Sequence, residues 1–240
     1  MKLSWAIALV LAVALPANAQ AQAYRPPAFP PNGSPSGQGT SGASRGECPP
    51  IGQQAITALV PTGAHAIREP FLDDIGVGQV VWATTTRETP TLWFYTPYEL
   101  SEEIFAEFSV LDSEGNLIYR LPITYGDRPG IVAVHLDQSL QVGEDYKWVF
   151  SIYCTADDPL YVFGWIQQTT LPLELEPVIA NASPLQQATI YAEHGFWHDA
   201  LTILATARRD RPSDSAIAQQ WHALLESVEL EHLSDVPVLP

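Results

Sequence analysis

The residues of this chain with the clearest metal-binding spacing are His194 and His198, which lie four positions apart beside Glu193 and Asp199. On one continuous helix, two histidines at this spacing face the same side and can ligate one zinc ion. Gly195 interrupts the segment at a predicted turn, so the two histidines are expected on different helices. The sequence therefore predicts no metal site here.

Catalytic motifs are missing from the sequence. There is no Gly-x-Ser-x-Gly nucleophile elbow, and no set of Ser, His and Asp stands apart from the background. Carboxylates are abundant in so acidic a chain, so no glycosidase pair can be selected from sequence alone. We therefore predict a protein that is not an enzyme and needs no cofactor or metal.

Aromatic side chains are the one chemically useful type in excess, with seven Trp and nine Tyr. In the segment TLWFYTPY, Leu92, Phe94 and Tyr98 point to one face of a predicted strand, and Trp93 and Tyr95 point to the other. Because the first face already suffices for a core, Trp93 and Tyr95 are candidate residues for stacking on a sugar or for a protein interface. The alternative is that a helical layer covers both.

The first 19 residues have the parts of a secretory signal peptide. Lys2 precedes an apolar run from Trp5 to Leu15, and small residues allow cleavage after Ala19. The run is short against the roughly 20 residues of a membrane-spanning helix. We therefore predict export to the periplasm or the extracellular space, with no transmembrane segment in the mature chain.

The charge of the mature chain is strongly negative. Removal of Lys2 leaves ten Lys and Arg against 27 Asp and Glu, a net charge of −17. Such a charge repels phosphate backbones and anionic lipid, which argues against nucleic acid as a partner. Negative charge also keeps an exported protein soluble, which is the simpler explanation.

The chain has two cysteines, Cys48 and Cys154. In an oxidising compartment an even number favours pairing. No Cys-x-x-Cys motif suggests a redox role, and two cysteines are too few for a cysteine metal site. We predict a structural disulfide that stabilises the fold by roughly 4 to 5 kcal/mol in the chain-entropy model.

Residues 47–170 read as a series of short strands. The central one lies in LQVGEDYKWVFSIYCT, where alternate positions from Tyr146 to Cys154 are large and apolar. The spacing Leu140-x-x-Gly143-x-x-Tyr146 resembles the tyrosine corner of immunoglobulin-like domains, in which the Tyr hydroxyl bonds the backbone upstream. Eight or so such strands predict an antiparallel immunoglobulin-like β-sandwich.

Two stretches between the predicted strands read as connections. Asp112 to Asn116 (DSEGN) is predicted as a hairpin loop, because it is too short for an EF-hand and lacks the distant bidentate Glu of a calcium loop. Thr62 to Gly78 is predicted to be irregular, with Asp73 and Asp74 in a loop.

From Ser183 the sequence takes a helical period. Ser183 and Gln186 form a capping box, and the residues that follow resemble one tetratricopeptide repeat, with Gly195 in the turn between two helices. A third helix is predicted over Ser213 to Val228. Residues 183–230 should therefore form a three-helix, tetratricopeptide-like layer that packs on the sandwich, giving an α+β fold.

Three further segments complete the predicted organisation. Residues 20–46 are rich in Pro, Gly and Ser and predict a disordered leader. Residues 171–182 read as a proline-interrupted linker, and residues 231–240 as a tail.

Several segments, taken in order, resemble a cyanobacterial domain-of-unknown-function family, number 928: ECPP, ITALVP, PTLWFYTPY, SVLDSEGNLIYR, VGEDYKWVFSIYC, VFGWIQQ and YAEHGFWHDAL. The resemblance runs from Cys48 to the C-terminus and implies a cyanobacterial exported protein. The family has no assigned activity, so no catalytic residue is carried over. The chain departs from the family pattern at DDPLYVFGWIQQ, where an Arg-containing turn and a basic residue after GWI are expected, and this puts in doubt any function that needs those charges.

These features together predict a non-catalytic protein-interaction module of the cell envelope whose partner is an envelope protein. The first alternative is a carbohydrate-binding module that binds polysaccharide through Trp93 and Tyr95. The second is a hydrolase with no recognisable motif.

Overall fold

The structure is a computed structural model that describes residues 24–27, 37–40, 48, 55–68, 75–124, 126–155 and 159–240. The predicted signal peptide and the loop residues Asp73 and Asp74 lie outside the described residues. Within these ranges, no helix is both long enough and apolar enough to cross a membrane.

The described residues form nine strands and four helices, so the fold is α+β. The strands are β1 (Thr57–Ala58), β2 (Thr62–Arg68), β3 (Ile75–Thr85), β4 (Thr91–Thr96), β5 (Phe105–Leu111), β6 (Leu117–Ile123), β7 (Gly130–His135), β8 (Asp145–Tyr153) and β9 (Leu160–Gln168). The helices are α1 (Glu176–Ala180), α2 (Pro184–Glu193), α3 (Trp197–Asp210) and α4 (Ser215–Glu226), and a 3₁₀ turn spans Glu231–Leu233.

The strands form two sheets in a sandwich-like arrangement. One sheet has six strands in the order β2-β3-β9-β8-β5-β6, and the other has three in the order β1-β4-β7. Neighbouring strands are antiparallel except β3 and β9, which run parallel from the pair Trp82 and Trp165 to the pair Thr85 and Gln168. Val238, in the predicted tail, forms a β-bridge with Ile131 at the start of β7, so this part of the tail contacts the fold.

The core between the sheets follows the alternation of β8. Trp148, Phe150 and Ile152 are fully buried, as the sequence predicts, and the ring of Phe94 from β4 stacks on Phe150 with centroids 4.3 Å apart. A Cβ atom at Gly164 of β9 would overlap the Trp148 ring. Only glycine therefore fits opposite this tryptophan.

Two local predictions around the sheet are confirmed. The Tyr146 hydroxyl accepts a hydrogen bond from the backbone N–H of Gln141 at 3.2 Å, which is the upstream bond predicted for a tyrosine corner. The side chain of Asp112 accepts bonds from the backbone N–H groups of Glu114 and Asn116, so DSEGN is a turn. The Asn116 side-chain amide also donates to Asp112. This bond, followed by the backbone bonds, lowers the pKa of Asp112.

The disulfide prediction is also confirmed. Cys48 and Cys154 are bonded, with their Cα atoms 5.0 Å apart. The bond joins a residue that precedes β1 to the residue that follows β8, and so links the start of one sheet to the end of the central strand of the other.

The prediction of an irregular segment from Thr62 to Gly78 is wrong, because β2 and the start of β3 lie in it. The two strands form seven antiparallel pairs, from Thr62 with Val81 to Arg68 with Ile75. Their sequences hold many small residues and little apolar alternation, so side-chain pattern gives no signal. Pairing of the backbone groups forms this hairpin instead.

The helical layer agrees with the prediction in outline and differs in detail. The Gln186 side chain accepts a bond from the Ser183 backbone N–H at 2.9 Å, and Gly195 has a positive φ of 84° in the turn between α2 and α3. Helix α4 begins after Asp214, whose carboxylate accepts from the N–H groups of Ala216 and Ile217. The predicted linker 171–182 contains the short helix α1.

Parts of the predicted leader contact the folded region. The backbone N–H of Arg25 donates to the carbonyl of Ala192, and the buried ring of Tyr24 lies edge-on to Trp197 with centroids 5.0 Å apart. Gln38 forms a β-bridge with Phe163. Residues 24–27 and 37–40 therefore contact residues that are distant in sequence, and local composition gives no signal for such contacts.

Candidate interaction surface

Trp93 and Tyr95, the residues proposed from sequence for ligand binding, are covered in the structure. Each side chain is 2% exposed. Both lie on the side of β4 that faces the helices, where the Trp93 indole N–H donates to the Thr202 hydroxyl of α3 at 3.1 Å. Of the two possibilities left by the sequence, the covered one holds, and neither residue belongs to a solvent-facing platform.

The histidines of the metal-like spacing are separated, as predicted. His194 follows α2, is exposed and has Nδ1 2.8 Å from the Ile190 carbonyl, whereas His198 is buried in the first turn of α3. Burial lowers the pKa of His198 to about 3, so the ring is neutral at physiological pH. Among the described residues, no three His, Cys, Asp or Glu side chains are grouped to hold a metal ion.

Asp199 has a structural role that the sequence did not reveal. Its buried carboxylate accepts hydrogen bonds from the hydroxyl of Thr85, and from both the backbone N–H and the hydroxyl of Thr86. Arg87 lies 3.6 Å away. Burial raises the pKa of Asp199 against these bonds, which favour the charged form. The cluster fastens α3 to the end of β3.

Aromatic side chains gather on one face of the six-stranded sheet. We call this the outer face: it consists of the side chains of β5, β6, β8 and β9 that point away from the three-stranded sheet. Its aromatic members are Phe105, Tyr153, Tyr161, Phe163 and Trp165. Tyr161 is 48% exposed, and the other four are partly exposed.

The outer face is held in shape by contacts among its own side chains. Phe105 and Tyr153 stack with centroids 5.0 Å apart and planes 9° from parallel. The ammonium group of Lys147 lies 4.6 Å from the centre of the Phe163 ring, a cation–π contact. The rings of Tyr161 and Phe163 are 6.3 Å apart and tilted by 40°.

Charged groups complete the outer face. Arg120 and Glu107 form an ion pair of 2.7 Å between β6 and β5. At the start of β8, Asp145 accepts bonds from the indole N–H of Trp82 at 3.1 Å and from the Gln167 amide at 3.2 Å. Burial raises the pKa of this carboxyl group. Trp82 also packs with Trp165.

The sequence of β9 contains a signal for the outer face. In YVFGWIQQ, Tyr161, Phe163 and Trp165 alternate with Val162, Gly164 and Ile166, so both sides of the strand are apolar. This alternation is the same one that marked Trp93 and Tyr95.

The outer face combines residue types that are common at protein interfaces. Aromatic rings, with a few ordered charges at the edge, are the residue types enriched at protein interfaces. The carboxylates on the outer face are engaged by indole, amide and guanidinium donors, which fixes them in place. Exposed apolar patches of this kind are common at interaction sites, so the outer face is the candidate surface.

Comparison with known proteins identifies the family. The family model described as "Domain of Unknown Function (DUF928)" matches residues 40–238, so the chain belongs to this family, as the sequence motifs indicate. None of the curated proteins matches the chain.

Among solved structures, a similar one is the β-glucuronidase of Parabacteroides merdae, crystallised with glycerol in its active site. It is 14% identical, with a TM-score of 0.23, over 33% of this chain and 11% of the glucuronidase chain. A similarity this low carries no argument about the present protein.

Proposed function

We propose that this member of the DUF928 family is a non-catalytic protein-interaction module of the cyanobacterial cell envelope, and that it binds an envelope protein through the outer face. The observation that carries the proposal is the concentration of five partly exposed aromatic side chains on one face of the six-stranded sheet. The opposite side of that sheet is buried in the core, and the outward side of β4 is covered by α3.

The contacts within the outer face favour a protein over a polysaccharide as the partner. Sugar rings stack on free aromatic faces, yet Phe105 and Tyr153 stack on each other and Lys147 lies over Phe163. Tyr161 is the most exposed of the five rings, and the Arg120–Glu107 ion pair lies on the same face. This mixed surface matches the aromatic and polar character of protein interfaces.

The sequence and the disulfide support the proposed location and the finer fold. The apolar N-terminal run with its small-residue cleavage site indicates export, and the Cys48–Cys154 bond fits an oxidising compartment. The bond from Gln141 to Tyr146 supports an immunoglobulin-like sandwich. The turn at Gly195 between α2 and α3 supports a tetratricopeptide-like helical pair.

The test is affinity capture from a native envelope extract with three forms of the protein: wild type, Tyr161→Ser and Leu173→Ser. Leu173 is 76% exposed and lies outside the outer face, so its variant is a matched loss of an exposed apolar side chain. We expect the wild type and Leu173→Ser to enrich the same envelope protein, and Tyr161→Ser to lose it. Equal enrichment by all three forms would contradict the proposal.

A second experiment tests the alternative that the outer face binds carbohydrate. Migration in native gels that contain envelope polysaccharide should be the same for the wild type and Tyr161→Ser. Retardation of the wild type that is lost in Tyr161→Ser would instead make the outer face a glycan-binding surface.

A further inference from the structure

A pocket of about 220 Å³ lies beside the outer face, where the docked leader, β3 and the end of α4 come together. Its walls include Tyr24 and the two prolines Pro26 and Pro27 from the leader, Trp82 from β3, and Glu229 from the segment after α4. None of the five aromatic side chains of the outer face lines it. The pocket is therefore a separate site, joined to the outer face only through Trp82.

The two aromatic walls are fixed by contacts outside the pocket. The Tyr24 ring rests edge-on against Trp197, with centroids 5.0 Å apart, and the Trp82 indole N–H is held by Asp145 at 3.1 Å. Rings that are already immobilised lose little conformational freedom when a ligand arrives. The aromatic part of the pocket is preorganised.

Glu229 is placed at the pocket by an unusual backbone conformation. Its φ is +62°, and it is the one residue other than glycine with positive φ in the described part of the chain. The Leu230 N–H bonds the Leu225 carbonyl and the Glu229 N–H bonds the Glu226 carbonyl, which is the helix ending whose left-handed position normally holds glycine. Glu229 therefore occupies a position where the backbone conformation favours glycine.

We infer that this pocket binds a small organic cation, an alkylammonium or a guanidinium group. Tryptophan and tyrosine rings attract such cations through their π faces, and the Glu229 carboxylate supplies the opposite charge. Of the described residues that line the pocket, none is Lys, Arg or His. The net charge of −16 draws cations toward the protein, and the volume fits a headgroup rather than a drug-sized molecule.

The test is a titration of the purified protein, with the leader retained because Tyr24 forms one wall. Binding is followed by the shifts of the tryptophan indole signals in NMR spectra. The probes are choline, its neutral isostere 3,3-dimethylbutanol, and methylguanidinium. We expect at least one cation to saturate the site, and the neutral isostere to bind about tenfold more weakly than choline or not at all.

Two matched variants separate the pocket from a general charge effect. Glu229→Gln should weaken cation binding by about fivefold to tenfold, since it removes the charge and keeps the size. Glu226→Gln makes the same change one turn earlier, at an exposed residue that does not line the pocket, and should leave binding within about twofold of the wild type. Unchanged melting temperatures would show that both variants are folded.

The titration results test the cation site independently of the outer face. A preference for methylguanidinium indicates an arginine side chain as the natural source of the cation, and a preference for choline indicates a quaternary headgroup; both support a cation site. Equal affinity for the neutral isostere, equal weakening by both variants, or no saturable shift with either cation would overturn it. Capture of an envelope protein through Tyr161 would stand in each case.

Discussion

Strands β4 and β9 have the same kind of sequence and opposite surroundings. Each alternates apolar side chains on both faces, and each directs one set into the core between the sheets. The second set of β4, Trp93 and Tyr95, is covered by the helical layer, whereas the second set of β9 remains partly exposed. Two-sided aromatic alternation therefore marks a strand, and what packs on its second face depends on distant parts of the chain.

The cover over β4 is built from long-range contacts. Trp93 meets Thr202 across 109 positions of sequence, and Thr85 meets Asp199 across 114. The indole N–H of Trp197 donates to the Leu59 carbonyl in the buried interior. These bonds hold α3 against β4 of the three-stranded sheet and against the end of β3 of the six-stranded sheet, whereas the aromatic side chains of the outer face stay partly exposed.

The largest expected effect is a difference in unfolding free energy between a variant on the covered face of β4 and a variant on the outer face. Trp93→Ala should lower the free energy of unfolding by about 3 to 5 kcal/mol, because it leaves a cavity and breaks the bond to Thr202. Phe163→Ala on the outer face should cost about 1 kcal/mol or less, since that ring is already partly hydrated. Urea unfolding followed by circular dichroism measures both. If both variants lost a similar amount of unfolding free energy, the two faces would not differ in burial as described.

The second prediction concerns the pH dependence of the stability that His198 of α3 causes. Because the pKa of His198 is lowered to about 3 in the folded protein and is 6.5 when unfolded, the unfolded state binds more protons between these values. The contribution of His198 to the stability is then complete above pH 6.5 and falls by about 1.4 kcal/mol for each pH unit below it, which is about 2 kcal/mol at pH 5.

Two variants check the origin of this pH dependence. Neither ring nitrogen of His198 has a hydrogen-bond partner among the described residues, so His198→Leu should flatten the slope between pH 6.5 and 5. His194→Gln, at the exposed histidine, should leave the slope as in the wild type. An unchanged slope in His198→Leu would show that other groups control the acid sensitivity.

The smallest expected effect concerns the end of α4. Glu229→Gly should raise the free energy of unfolding by about 1 kcal/mol, because glycine adopts positive φ without the steric cost of a side chain. The same variant should lose cation binding in the neighbouring pocket. Thermal unfolding together with a choline titration measures the two effects. Lower stability in Glu229→Gly would mean that the Glu side chain stabilises the fold.

The sequence predicts the parts of the fold that depend on neighbouring residues. Alternation from Tyr146 to Ile152 identifies the core strand, and DSEGN identifies the turn between β5 and β6. Ser183 with Gln186 identifies a helix start, and the even cysteine count predicts the disulfide. These features are local or follow from composition, so their physical causes are visible without coordinates.

The remaining features depend on contacts between distant segments. The covering of Trp93, the docking of Tyr24 and the threonine partners of Asp199 all join residues separated by more than 100 positions. The β2 and β3 hairpin was missed for a different reason, because its pairing uses backbone groups and few apolar side chains. The candidate surface shifted from β4 to β9 because the sequence contains no signal for which face the helices cover.

The most direct test of the outer face as the binding surface is site-specific photocrosslinking in intact cell envelope. A photoreactive amino acid replaces Tyr161 in one sample and Leu173 in the other, and both positions are well exposed. The account predicts a crosslink to one envelope protein from position 161 and none to it from position 173. A crosslink to that protein from position 173 alone, or none from position 161, would contradict it.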